Sequence, residues 1–210
     1  MLAVTAGPIW PGRPAAAQQF AADLVGGIAG SRLEGKAYVA DGKVRIETSD
    51  FPNDLFLSDA GARIAYFVKP RYRIFMDAKR SSRLSQILVP VDPDDPCVQW
   101  QVMAEIAGPP DRAGQWRCNR LGPERVDERS VVKYQAISPY GRPGYYWIDP
   151  LLRFPVKVQF EDGVTVDLRN IEEGPQAASL FEIPANFRKF DPRQLIDRIK
   201  QSDVWVEPPD

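Results

Sequence analysis

Val156-Lys157-Val158-Gln159-Phe160-Glu161-Asp162-Gly163-Val164-Thr165-Val166-Asp167-Leu168-Arg169 is the stretch that decides the fold. Val156, Val158 and Phe160 alternate with Lys157, Gln159 and Glu161, and then Val164, Val166 and Leu168 alternate with Thr165, Asp167 and Arg169. A period of two sends one set of side chains to an apolar face and the other to water, as in half-buried antiparallel strands. The Asp162-Gly163 pair between them supplies the turn, since both residue types tolerate positive φ.

The same pattern recurs along the chain. Lys43 to Glu47 alternates strictly behind an Asp41-Gly42 turn, so Glu34 to Ala40 should pair with it. Arg63 to Lys69 sends Ile64, Tyr66 and Val68 to one face, and after Pro70 the segment Arg71 to Asp77 sends Tyr72, Ile74 and Met76 to one face. Ser130 to Ile137 and Tyr145 to Ile148 form a further β-branched and aromatic pair, joined by a loop containing Pro139, Gly141, Pro143 and Gly144.

Helical candidates are short: Ala21 to Ala29, Ser82 to Leu88, and Pro192 to Gln201 behind Asp191. A long sheet with one apolar face must have that face covered, and only these helices can do it. The expectation is an α+β fold, mainly antiparallel β: a curved half-barrel sheet of about 8–11 strands with a few short helices covering the apolar face.

The 210 residues are 44% hydrophobic and 26% charged, a composition that excludes a disordered chain and suits one domain. Histidine is absent, so a Ser-His-Asp triad cannot exist and the commonest metal-binding nitrogen is missing. A net charge of −1 provides no global field for nucleic acid, and no run approaches the roughly 18 apolar residues of a membrane span. Asp92, Asp94 and Asp95 are interrupted by Pro93 and Pro96, unlike a calcium loop, and Ser130-Val131-Val132-Lys133 lies in a strand rather than on the helix that S-x-x-K chemistry uses. No catalytic residue, metal or cofactor is expected.

Residues 1–17, apolar or small and ending Ala15-Ala16-Ala17, resemble the remnant of a secretory signal with cleavage before Gln18, the alternative being a plain N-terminal extension. Residues 18–191 then form the half-barrel, and 192–210 a C-terminal helix and tail. Cys97 and Cys118 are the only cysteines. They are read either as a disulfide, which implies an oxidising periplasmic or secreted location, or as two buried thiols.

A sheet face wider than its helices can fill leaves a cavity for an acyl chain or similar ligand. Its candidate lining is Val44, Ile46, Ile64, Tyr66, Val68, Ile74, Met76, Val156, Val158, Val166 and Leu168, each of which also suits ordinary packed core. Arg63, Lys69, Arg71 and Arg73 form a candidate basic patch for an anionic headgroup, a membrane surface or an acidic partner.

Some residues also carry a family likeness. Trp116-Arg117-Cys118, Leu121-Gly122, Glu124, Val126, Arg129, Lys133-Tyr134, Trp147-Ile148-Asp149-Pro150, Arg153-Phe154-Pro155-Val156-Lys157 and Leu180-Phe181-Glu182-Ile183-Pro184 resemble a bacterial family of unknown function. That family is similar to the periplasmic lipoprotein carrier and receptor superfamily. The resemblance covers Phe20 to Asp191 and implies an antiparallel half-barrel around an apolar cavity closed by helices.

Three function classes follow. The leading expectation is a non-catalytic envelope protein that holds a lipid or other hydrophobic small molecule in the half-barrel. The second is a periplasmic interaction or envelope-stress module with a filled core and an envelope protein partner. The third is a carboxylate-dependent hydrolase, which needs two acids with perturbed pKa in a polar cleft. Cavity against filled core separates the first two.

Overall fold

Strands joined by short turns pair with their neighbours in sequence, and here they do so in two runs. The computed structural model describes residues 18–27, 32–78, 83–107, 114–139, 141 and 143–192. The first run is an antiparallel meander of β1 (Phe20–Gly27), β2 (Leu33–Ala40), β3 (Lys43–Thr48), β4 (Leu55–Asp59), β5 (Ile64–Lys69) and β6 (Ile74–Asp77). The chain then crosses through α1 (Leu84–Ile87) and α2 (Pro96–Ala107). A second meander follows, of β7 (Arg117–Val126), β8 (Arg129–Ile137), β9 (Pro143–Asp149), β10 (Phe154–Phe160) and β11 (Thr165–Glu173). Finally β12 (Arg188–Lys189) adds in parallel to β6.

The two meanders meet where β11 pairs with β1, giving one open twelve-stranded sheet in the order β12-β6-β5-β4-β3-β2-β1-β11-β10-β9-β8-β7. This is the expected antiparallel half-barrel, with more strands than the alternation announced. Leu24 faces Leu168 and Gly26 faces Val166 across the seam. A side chain on Gly26 would run into the Thr165 carbonyl oxygen, so glycine lets the two backbones close there. Asp41 and Gly42 both take positive φ, as their hairpin requires.

Ala21 to Ala29 was expected to be helical, but residues 20–27 are strand. Phe20, Ala22 and Leu24 are buried at a period of two, and ladder bonds to both β2 and β11 override the helix propensity of alanine. Of the helix expected over Ser82 to Leu88, Leu84–Ile87 is helical and Ser82 lies outside the described residues. Pro192 to Gln201 lies outside the described residues beyond 192, as do residues 1–17. The strand expected from Arg71 begins at Ile74, because Pro70 opens a 3-10 turn over Pro70–Tyr72 that ends on Arg73 at φ 51°.

Cys97 at the start of α2 is bonded to Cys118 in β7, so the helix is tied to the sheet edge it packs beside. A closure of this length contributes about 3 kcal/mol by restricting the unfolded chain. Because α1 and α2 form the connection between the meanders, they lie over the inner face, and the main core sits between them and the sheet.

Candidate functional site

The inner face is packed with large side chains. Trp100 and Met103 of α2 are wholly buried (0% exposed), and the Trp100 ring lies 4.5 Å from Tyr146 of β9 and 5.4 Å from Trp116. The Trp100 indole donates to the Ile87 carbonyl at 3.1 Å, which binds the two helices together. Burial raises the Tyr146 phenol well above its ordinary pKa, so it stays neutral. Phe20 and Phe154 meet edge to face at 5.3 Å beneath the β1–β11 seam.

Seven residues of the candidate lining join this core: Val44, Ile46, Val156, Val158, Val166 and Leu168 are buried in it, and Met76 packs against it. Ile64, Tyr66 and Val68 do not. Ala65 and Phe67 supply the inner face of β5, while Tyr66 and Val68 belong to a second cluster with Leu55, Leu57, Phe75, Ile183 and Phe187 on the outer face. Ile64 follows them by alternation, whereas half-buried Ile74 shares the inner face with Met76. The expected single lining face is therefore split. Both faces of β4 and β5 are apolar, and alternation alone does not say which is inner.

The outer cluster is covered by the chain itself. Residues 178–190 run back across β3 to β6, where Arg45 donates to the Leu180 carbonyl at 3.0 Å. The Arg188 amide bonds the Arg73 carbonyl and the Phe190 amide bonds that of Phe75. Ile183 and Phe187 supply the apolar contacts of this strap.

Some of the residues that carry the family likeness, Glu124, Arg129, Lys133, Trp147 and Asp149, build the outer face of the second meander, while Trp116, Tyr134, Ile148, Phe154 and Val156 belong to the inner core and Ile183 to the strap. Trp147 is 6% exposed although its ring faces outward, because Lys133 and Lys157 lie over it at 4.8 and 5.4 Å. Its indole donates to Glu124 at 2.6 Å. That bond, with a second from Lys133, holds the Glu124 carboxyl below its ordinary pKa. Asp149, 2% exposed, accepts from the Leu151 and Leu152 amides and pairs with Arg129 at 2.8 Å, while Arg129 also reaches Glu173. Asp23 is likewise held low by bonds from Lys36 and Asn170. A general acid requires the opposite shift.

Two open grooves are formed by described residues. One, of about 500 Å³, lies between the β7–β8 turn and β11, with Arg129, Arg169 and Asp127 beside Val156 and Leu168. The other, of about 430 Å³, is bounded by Arg83, Pro143, Phe160 and Asp162. Among the described residues no group of three metal-ligating side chains converges, and no helix is long and apolar enough to cross a membrane.

The basic patch is redistributed. Arg63 lies at the far end of β5 and pairs with Glu105 of α2. Lys69, Arg71 and Arg73 gather at the near end, with Lys69 paired to Asp54. Arg188 joins them through the strap, a neighbour that only the tertiary fold provides. The sequence reading also missed α2. Trp100, Met103 and Ala107 at spacings of three and four, behind Pro96 at the first helical position, were the available signal.

Together these features define an open antiparallel half-barrel, as the motif resemblance implied, with the buried side chains of Trp100, Met103, Trp116 and Tyr146 on its inner face where that resemblance implied an apolar cavity. No protein-family model and no curated protein matches the chain. Among solved structures it is similar to an uncharacterized conserved protein from Thermus thermophilus, at 13% identity and a TM-score of 0.50, covering 84% of this chain and 91% of that one. It is similar to PNGF-II at 10% identity and a TM-score of 0.53, covering 88% of this chain and 34% of that one, so it spans about a third of that protein's length. It is also similar to a LolA superfamily protein from Nitrosomonas europaea, at 10% identity and a TM-score of 0.36, covering 81% of this chain and 91% of that one. At these identities the likeness is one of fold.

Proposed function

We propose that this protein is a non-catalytic interaction module of the cell envelope, working through its outer surfaces on an envelope protein partner. The observation that carries this reading is the filling of the inner face by Trp100, Met103, Trp116 and Tyr146, which occupy the space a half-barrel ligand would need. The Cys97–Cys118 bond supports a periplasmic or secreted location, since such bonds persist in oxidising compartments.

A second reading keeps the inner face for a lipid or other hydrophobic ligand. It is favoured by the ring of Phe51, 41% exposed, which meets Phe56 and Phe67 edge to face at 6.0 and 5.3 Å and leaves an aromatic shelf at one end of that face. In this reading Val156 and Leu168 already border the open groove beside Arg129 and Arg169, and Val44, Ile46, Met76, Val158 and Val166 are reached once the helices shift.

Native mass spectrometry of the protein purified from its own envelope fraction, followed by organic extraction, tests the choice. The interaction module should fly at the mass of the bare polypeptide and yield no lipid. A stoichiometric extracted lipid would overturn it in favour of the second reading.

A further inference from the structure

The end of the sheet where β5 turns into β6 gathers cations that neither reading of the inner face uses, beside the Phe51 shelf. The turn Pro70-Arg71-Tyr72-Arg73 projects there, and Tyr72 is 61% exposed. Arg71 stacks beside the Tyr72 ring at 5.9 Å, and Lys69 lies 5.9 Å from the same ring and 5.1 Å from Phe67. Phe67 in turn supports the exposed Phe51 from the β3–β4 loop. The strap brings Arg188 alongside, its amide bonded to the Arg73 carbonyl at 3.0 Å.

Two exposed aromatic rings thus share one end of the molecule with four cations. Lys69 is paired with Asp54, but Arg71, Arg73 and Arg188 have no ion-pair partner among the described residues. Asp50 and Asp54 are the carboxylates of the adjoining β3–β4 loop. In a chain of net charge −1, this end carries a local positive excess.

We propose that this end of the half-barrel docks on an anionic bilayer surface, with Tyr72 and Phe51 entering the headgroup region and Arg71, Arg73 and Arg188 meeting lipid phosphates. The arrangement fits that occupant in two ways. Aromatic side chains with one wet end prefer the membrane–water interface, and arginine forks pair with phosphate oxygens. The rings also stand on a projecting turn, which can enter a soft interface without the shaped recess that a folded protein would have to supply.

The attraction should be electrostatic and therefore lost at high salt. The proposal is independent of what the inner face holds, because it concerns the surface of a membrane and not an extracted lipid.

Sedimentation with vesicles tests it. The full chain should bind phosphatidylcholine vesicles containing phosphatidylglycerol and leave pure phosphatidylcholine vesicles in competition. At roughly five-fold per arginine, the triple variant Arg71→Gln, Arg73→Gln, Arg188→Gln should bind on the order of a hundred-fold more weakly. Tyr72→Ala should weaken binding with its charge unchanged, and all variants should melt with the parent because the altered side chains are exposed. Equal binding to both vesicle types, no binding to either, or full binding by the triple variant would each overturn the proposal. A photocrosslink from position 72 to an acidic protein, with no vesicle binding, would assign the surface to a protein partner instead.

Discussion

The two meanders protect apolar surface on their outer faces in different ways. Between β3 and β6 the outer face is a small second core, with Leu55, Leu57 and Val68 sealed by Ile183 and Phe187 of the returning strap. Between β7 and β10 no strap of described residues arrives, and the outward rings of Trp147 and its neighbour Tyr145 lie under lysine stems, with a carboxylate on the Trp147 indole. Long cationic side chains can cover apolar area while keeping their charge in water, so these rings need no second layer. A row of aliphatic residues on both faces of β4 and β5 does need one. The difference teaches that the polar half of an alternating pattern can be covered by its own strand neighbours, whereas a doubly apolar strand commits another piece of chain.

Both halves depend on the inner core, so removing its centre should erase the contrast between them. Trp100→Ala leaves a cavity against Trp116 and Tyr146 and frees the Ile87 carbonyl, and it should cost about 4 kcal/mol. Urea unfolding read by circular dichroism checks this. A cost below about 1 kcal/mol would mean that the inner face is loosely filled, which would favour the ligand reading.

The strap separates the halves more selectively. Phe187→Ala removes a half-buried ring from the outer cluster and should cost about 1 kcal/mol. Amide exchange should speed up in β6 and β12 and stay unchanged in β8 and β9. Equal acceleration in both halves would mean that the strap is not a local cover.

The smallest effect belongs to the charged cover of Trp147. The Glu124 carboxyl is bonded in its ionised form and its pKa is lowered, so its contribution is present above the ordinary value of 4.5 and fades as pH falls through the lower folded value. The melting temperature should therefore drop on acidification. In Glu124→Gln that drop should be shallower, and the Trp147 emission should lose its acid-side change. Identical pH profiles would assign the cover to the lysines alone.

The hairpins at Asp41-Gly42 and Asp162-Gly163 were legible because turn residues and strict alternation agree, and local agreement of that kind survives folding. β7 was not, since as an edge strand it exposes nearly every side chain and carries no period. β4 was not, since burial on both faces gives a continuous apolar run. The candidate site followed the same rule. Val158 and Val166, paired across one hairpin, share the inner core, while Tyr66 and Val68 lie on the other face.

The amino-acid sequence by itself determined the antiparallel class, the hairpin turns, the absence of histidine chemistry and the only possible cysteine pair. Those depend on neighbours within a few residues or on composition. Which face of β5 is inner, how the helices fill the half-barrel, and how Arg188 comes to stand beside Arg73 were decided by the tertiary structure. Each depends on segments tens of residues apart that meet only when the strap and the crossing helices close over the sheet, and alternation marks two faces without naming what will cover either.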